Sequence, residues 1–143
     1  MGYIRYFPDD DSPSSRKLKK VIEEDFKRKD KKNHLKLINK LNQMDKIGAS
    51  YVFNVLKEER NLKHSKKTIA VLRENLYELR VPKQKKEGVF RIYFTIFPDK
   101  EKIMILDAEY KTEKEPKRLK CAESKLKRLK KEANWNEQIK RIN

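Results

Sequence analysis

The apolar positions of this chain fall into short runs whose spacing changes along the sequence. Tyr3 to Phe7, Y-I-R-Y-F, is an aromatic and β-branched run closed by Pro8, and it predicts a strand at the amino end, 1–7. From Leu18 the period lengthens. Leu18, Val21, Ile22 and Phe26 share one helical face, with Lys17, Lys19, Lys20, Glu23 and Glu24 largely outside it. Ser12-Pro13 supplies a helix opening, a capping serine followed by proline at the first helical position. A second apolar face carries Leu37, Ile38, Leu41 and Met44, and Gly48 stands just past Ile47, where a C-terminal cap is expected. The polar run Lys27 to Asn33 between the two faces predicts a tight turn, so 12–47 reads as an antiparallel helical hairpin. A single long helix is the alternative.

Tyr51 to Leu56, Y-V-F-N-V-L, fits a strand or a short buried helix, and six residues do not decide between them. Lys57 to Lys67 is highly polar and reads as surface without an assigned element. Three strand-like runs follow: Leu76 to Val81, Val89 to Phe97 and Lys102 to Tyr110. Pro82 to Gly88 and Pro98 to Glu101 connect them. Connections this short predict an antiparallel meander over 76–110. Glu115-Pro116 then opens a last helix, 115–133, with an apolar stripe of Leu119, Ala122, Leu126, Leu129 and Ala133. Trp135 follows, either anchoring the tail or standing exposed for a partner. The whole reads as one α+β domain over 1–143.

Alternation sorts the strands into two faces. Phe90, Ile92, Phe94 and Ile96 share one side of their strand, and Arg91, Tyr93 and Thr95 the other. Tyr77, Leu79 and Val81 oppose Glu78 and Arg80 in the same way. Antiparallel pairing would bring Arg80 and Arg91 onto one polar surface. The plain alternative is a solvated sheet face carrying a Glu78–Arg pair.

Charge sharpens this picture. The 143 residues carry 38 Lys and Arg against 22 Asp and Glu, a formal charge of +16. Such a chain attracts polyanions, nucleic acid first, because Lys and Arg can replace the counterions around phosphates. Two arginines beside tyrosines suit phosphate contact and base stacking. With three Gly and five Pro the chain is not of low complexity. The single Cys121 excludes an intrachain disulfide and a thiolate metal site. No apolar signal segment or transmembrane run is present, so a cytoplasmic protein without membrane association is expected. Phosphate-cradling glycine motifs and zinc-ligand spacings are missing, and no cofactor or metal is expected. His34 and His64 both read as surface residues, Cys121 as an ordinary helix residue, and Asp9 to Asp11 as a turn at a helix start.

The succession L-Y-E-L-R (76–80), V-F-R-I-Y-F (89–94) and I-L-D-A-E-Y-K-T-E-K-E-P-K-R (105–118) resembles the RelE/HigB superfamily of bacterial toxins, nearest its HigB-like, phage-associated branch. The resemblance covers 73–132 and implies a small α+β fold: a strand, two helices, an antiparallel sheet and a C-terminal basic helix. It implies the toxin of a type II toxin–antitoxin system, a metal-independent, ribosome-dependent mRNA endoribonuclease. In such an enzyme the ribose 2′-OH attacks the adjacent phosphate. The implied partners are the ribosome with its mRNA and a cognate HigA-like helix-turn-helix antitoxin, whose complex would set the oligomeric state. By the same resemblance, Arg80 would contact phosphate and Arg91 would stabilise the transition state. Lys111, Thr112 and Lys114 would bind RNA or the scissile phosphate, Tyr93 would stack on a base, and Lys117 and Arg118 would bind RNA. Related enzymes often carry a histidine near position 110. Here Tyr110 stands at the position of the segment's first lysine, as a base or a stacking platform. The alternative is a non-catalytic protein of this fold that inhibits DNA gyrase, as ParE-like relatives do, or only binds RNA.

Overall fold

Ser12 begins the helical layer by accepting the Ser15 N–H at 3.2 Å, which caps α1 (Pro13–Lys20). A π-helical turn, Val21–Asp25, follows and runs into the short α2 (Phe26–Lys29). Asp30 then takes an extended conformation and accepts the Asn33 N–H at 3.1 Å, ending one helix and capping α3 (Lys31–Ile47). The expected hairpin and its turn are therefore present. In the π turn the Phe26 N–H bonds to Val21 O rather than to Ile22 O. His34 serves the Ile22 carbonyl instead, its Nε2 lying 2.8 Å away. A carbonyl only accepts, so Nε2 carries the proton. His34 is buried at 7% exposure, where the sequence suggested surface, because the π turn leaves a carbonyl for it to bind.

Gly48 ends α3 with its N–H on Met44 O at 2.8 Å and φ at 87°. A Cβ there would lie 2.8 Å from Glu101 O, so both conformation and space call for glycine. The chain turns at once into α4 (Ala49–Glu58), which settles Tyr51 to Leu56 as helix. Ala49 and Val52, three apart, are its buried positions.

The computed structural model describes residues 2–82, 88–111 and 117–142, the last eight of these by backbone alone. Within them lies a five-stranded mixed sheet in the order β1-β5-β4-β3-β2. The strands are β1 (Ile4–Tyr6), β2 (Ile69–Arg73), β3 (Leu76–Val81), β4 (Val89–Thr95) and β5 (Ile103–Lys111). β2 to β5 form the antiparallel meander, and β1 lies parallel to β5 with Ile4 opposite Ile103. The outer edge of β1 is blunted: Asp45 Oδ1 takes the Ile4 N–H and Asp10 Oδ1 the Tyr6 N–H. β2 is an addition to the sequence-based layout. Its signal was present as I-A-V-L-R, separated from L-Y-E-L-R by Glu74-Asn75, and Asn75 has the left-handed φ of 64° that a tight hairpin accepts.

Helices cover both faces of the sheet. α1 to α4 pack on Leu79, Val81, Phe90, Ile92, Phe94, Ile103 and Ile105, the apolar side foreseen by alternation. Several of these are fully buried, and each such side chain contributes about 1.5–3 kcal/mol. On the opposite face α5 (Leu119–Ile142) lays Ala122, Leu126 and Leu129 against Leu76, Tyr93 and Leu106. This helix begins later and runs further than the expected 115–133. Pro116, expected at its first position, lies outside the described residues, as does the side chain of Trp135.

Candidate functional site

The polar side of the sheet becomes a second, charged interior beneath α5 and the loop that holds a 3₁₀ turn at His64–Lys66. Strand register sets it out in two rows. Glu78, Tyr93 and Asp107 lie opposite one another across β3, β4 and β5, and Arg80, Arg91 and Glu109 form the neighbouring row. A bulge is needed to complete the first row. Register slips between Tyr93 and Phe94, so Leu106 is the extra residue on β5. Leu106 and Asp107 consequently both face α5, and Asp107 is re-aimed toward it.

Arg80 and Arg91 stand directly opposite each other, a pairing that like charges oppose. Glu78 makes it possible. It lies two residues before Arg80 on the same face and diagonal to Arg91. Its Oε1 accepts Arg80 Nε at 2.7 Å and its Oε2 accepts Arg91 Nη1 at 2.8 Å. Two guanidinium groups share the Glu78 carboxylate, and Glu109 stands opposite Arg91 on the next strand. The Glu78–Arg pairing is thus real, but buried rather than solvated, since Glu78 and Arg80 are 3% and 5% exposed. Arg91 is more accessible, with 19% of its side chain exposed. Its Nε is buried without a hydrogen-bond partner, a donor suited to an oxyanion.

His64 completes this group: it is exposed, as its polar loop suggested, and it also reaches Arg80. Arg80 Nη1 donates to His64 O at 2.9 Å, and Arg80 Nη2 lies 2.9 Å from His64 Nε2. A guanidinium only donates, so Nε2 is the unprotonated nitrogen of that ring. No local motif marks His64, and only the fold of the β2–β3 hairpin carries its loop to Arg80. A histidine therefore does stand at the arginine pair, contributed from a loop distant in sequence from position 110.

The other expected residues separate. Tyr93 has no exposed surface, and its hydroxyl donates to Glu109 Oε2 at 2.9 Å. Burial, with the nearby Glu78 and Glu109 charges, pushes its pKa well above the ordinary value. Tyr93 is structural in this arrangement and not a stacking surface, because α5 closes over it. Tyr110 is on the wrong side of the sheet for joint work with Arg80 and Arg91. It pairs with Phe90 on the face covered by α1 to α4, with ring centroids 4.7 Å apart, and its ring lies against the backbone of Gly88. The cause is the alternation that β5 resumes after its bulge, in which Glu109 and Tyr110 point opposite ways. Lys111 is the next residue back toward the arginine side, opposite Val89 and half-buried. Thr112 and Lys114 lie outside the described residues.

Lys117 and Arg118 dock the start of α5. Their backbone N–H groups donate to Glu109 at 3.1 and 2.9 Å. The Arg118 guanidinium is bidentate on Asp107, at 2.8 and 3.2 Å, and this hydrogen bonding raises its pKa. Lys125 Nζ adds a contact to Leu106 O at 2.7 Å and one to Asp107 at 3.3 Å. Arg118 is thus spent on anchoring the helix, while the exposed Lys117 keeps its side chain at the surface.

Among the described residues no three His, Cys, Asp or Glu side chains converge to hold a metal ion, and no helix is long and apolar enough to cross a membrane. Chemically, the Arg80–Arg91–His64 group can bind a phosphate-like anion and exchange a proton beside it. The chain matches no protein-family model, no curated protein and no solved structure.

Proposed function

We propose that this protein is the toxin of a type II toxin–antitoxin pair, of RelE/HigB type, cleaving mRNA on the ribosome. The observation that supports this function is the Arg80–Arg91 pair, in which Arg91 carries a buried, unpartnered Nε, with an unprotonated histidine nitrogen alongside on Arg80. In the proposed reaction the ribose 2′-oxygen bonds to the adjacent phosphorus and the P–O5′ bond breaks, leaving a 2′,3′-cyclic phosphate and a 5′-hydroxyl whose proton comes from water. Arg91 offsets the charge that builds on the phosphorane oxygens. His64 exchanges its Arg80 hydrogen bond for the 2′-OH and takes that proton. Arg80, held by Glu78, positions both. Lys111 contacts the phosphate from the rim, and Tyr110 has no part in the step. A cognate helix-turn-helix antitoxin would neutralise the protein by covering the basic surface.

Induced expression should arrest growth and leave truncated mRNA on translating ribosomes. Arg91→Ala should lower cleavage by about 100-fold or more, and His64→Ala by a comparable factor, with folding retained. Unaffected growth at high levels of folded protein would rule the toxin out. The second function, RNA binding without cleavage, is favoured by the burial of Arg80 and the placement of Tyr110. It would show as RNA retention with no cyclic-phosphate product. A supercoiling assay tests the gyrase-inhibiting variant of that alternative.

A further inference from the structure

Far from the arginine pair, at the opposite end of the same face, a groove of about 500 Å³ runs between α5 and the β2–β3 turn. Arg73, Lys120, Lys127 and Lys130 line it, against the carboxylates of Glu74 and Glu123. Lys120 and Lys127 are two turns apart on one helical face, with Lys130 a further turn along, so the cations form a stripe rather than a cluster. Leu76 and Leu126 meet beneath them. The ion pair across the groove, Arg73 with Glu123, is 3.5 Å long and Arg73 is 67% exposed there, so its hold is weak.

We infer that this groove is the track for single-stranded RNA flanking the nucleotide bound at Arg80 and Arg91. The inference rests on the proposed function and adds the path of the substrate. Two dimensions agree. From Arg80 back to Leu76 along β3 is about 13 Å at the rise of a strand. From Lys120 to Lys130 along α5 is about 15 Å at the rise of a helix. α5 starts beside the Arg80–Arg91–Glu109 row, where the Arg118 N–H meets Glu109, and β3 joins that row to Leu76 in the groove. A strand leaving the arginine pair therefore meets Lys120, Lys127 and Lys130 in succession, over about four nucleotides at the ~3.4 Å stacked rise. Glu123 opposes the phosphates, and it releases Arg73 to them when they arrive.

The test measures affinity for a labelled single-stranded oligouridylate across a salt series. It compares the unaltered protein with the triple variant Lys120→Glu, Lys127→Glu, Lys130→Glu. The control is Lys17→Glu, Lys32→Glu, Lys36→Glu, which makes the same charge change on exposed positions of the other helical layer. Melting curves check that all fold. The groove variant should lose at least about 10-fold in affinity, and its salt slope should fall by about two, near 0.7 for each lost phosphate contact. The control should lose far less, and Glu123→Gln should bind more tightly. Equal losses in the two triple variants, or no tightening with Glu123→Gln, would overturn the track and leave cleavage at Arg91 standing. Absence of RNA binding by the unaltered protein would also overturn the track, and the growth and mRNA-cleavage assays decide the proposed function separately.

Discussion

Tyr93 shows how the chemistry of one residue is reassigned by its neighbours. An aromatic ring with a hydroxyl, next to an arginine, suits base stacking in a sequence. In the fold the same ring fills the space under α5, and the hydroxyl holds Glu109. Its pKa is raised, chiefly by burial. For an acid, a raised folded-state pKa means stability that is complete below the unfolded value and lost as pH climbs above it. The window therefore opens above about pH 10, where an unfolded tyrosine ionises. Tyr93→Phe should cost about 1 kcal/mol at neutral pH from the lost hydrogen bond, since Glu109 keeps its two backbone donors. The variant should also show a shallower loss of stability between about pH 9 and 11. Urea titrations at the two ends check both; an alkaline decline as steep as in the unaltered protein would remove Tyr93 as its cause. His64 is the converse case, a residue with no local pattern that acquires a site through its contact with Arg80.

At the scale of elements, α5 is attached by two different means. Its apolar stripe packs on Leu76, Tyr93 and Leu106, and its N-terminal end is tied down by Asp107 and Glu109. The β4–β5 bulge makes the second attachment possible, because without it Asp107 would face the other helical layer. Asp107→Ala removes the acceptor for Arg118 and Lys125, and for the buried Ala108 N–H, while leaving the apolar stripe intact. Both cations can turn to water, but the Ala108 N–H cannot, so the loss should be about 2–3 kcal/mol, felt in α5 and at that point of β5. Hydrogen exchange should rise across α5 and locally at Ala108, measured by mass spectrometry, with α3 and the rest of the sheet unchanged. Uniform acceleration throughout the chain would contradict this division of the attachment.

At the scale of the molecule, a charge of +16 on 143 residues makes self-repulsion a standing cost of compactness. Much of the charge lies on the outer faces of α3 and α5, while the interior pairs its own ions around Glu78 and Asp107. Exposed charges are screened strongly and buried pairs much less. The melting temperature should therefore rise as NaCl goes from about 50 to about 500 mM, where the Debye length falls well below 10 Å. RNA affinity should fall over the same range. A melting temperature that drops with salt would mean that surface ion pairs, not repulsion, dominate. The same argument explains why Glu78 matters beyond its own contacts, for it lets two arginines share a sheet face.

Local pattern alone determined the helical hairpin, the three later strands of the meander and the division of each strand into an apolar and a cationic face. These follow from spacing and from capping residues such as Ser12 and Gly48, which act within a few residues of their own position. It also brought Arg80 and Arg91 to one surface, because a short connection leaves antiparallel pairing as the simple outcome. The register that sets them directly opposite, the sharing of Glu78 and the arrival of His64 depend on pairings between distant parts of the chain. So do the exclusion of Tyr110 and Tyr93 and the burial of His34 at the π turn. A side chain's face is written in its strand, but what covers that face is decided only when β2, α5 and their loops close over it.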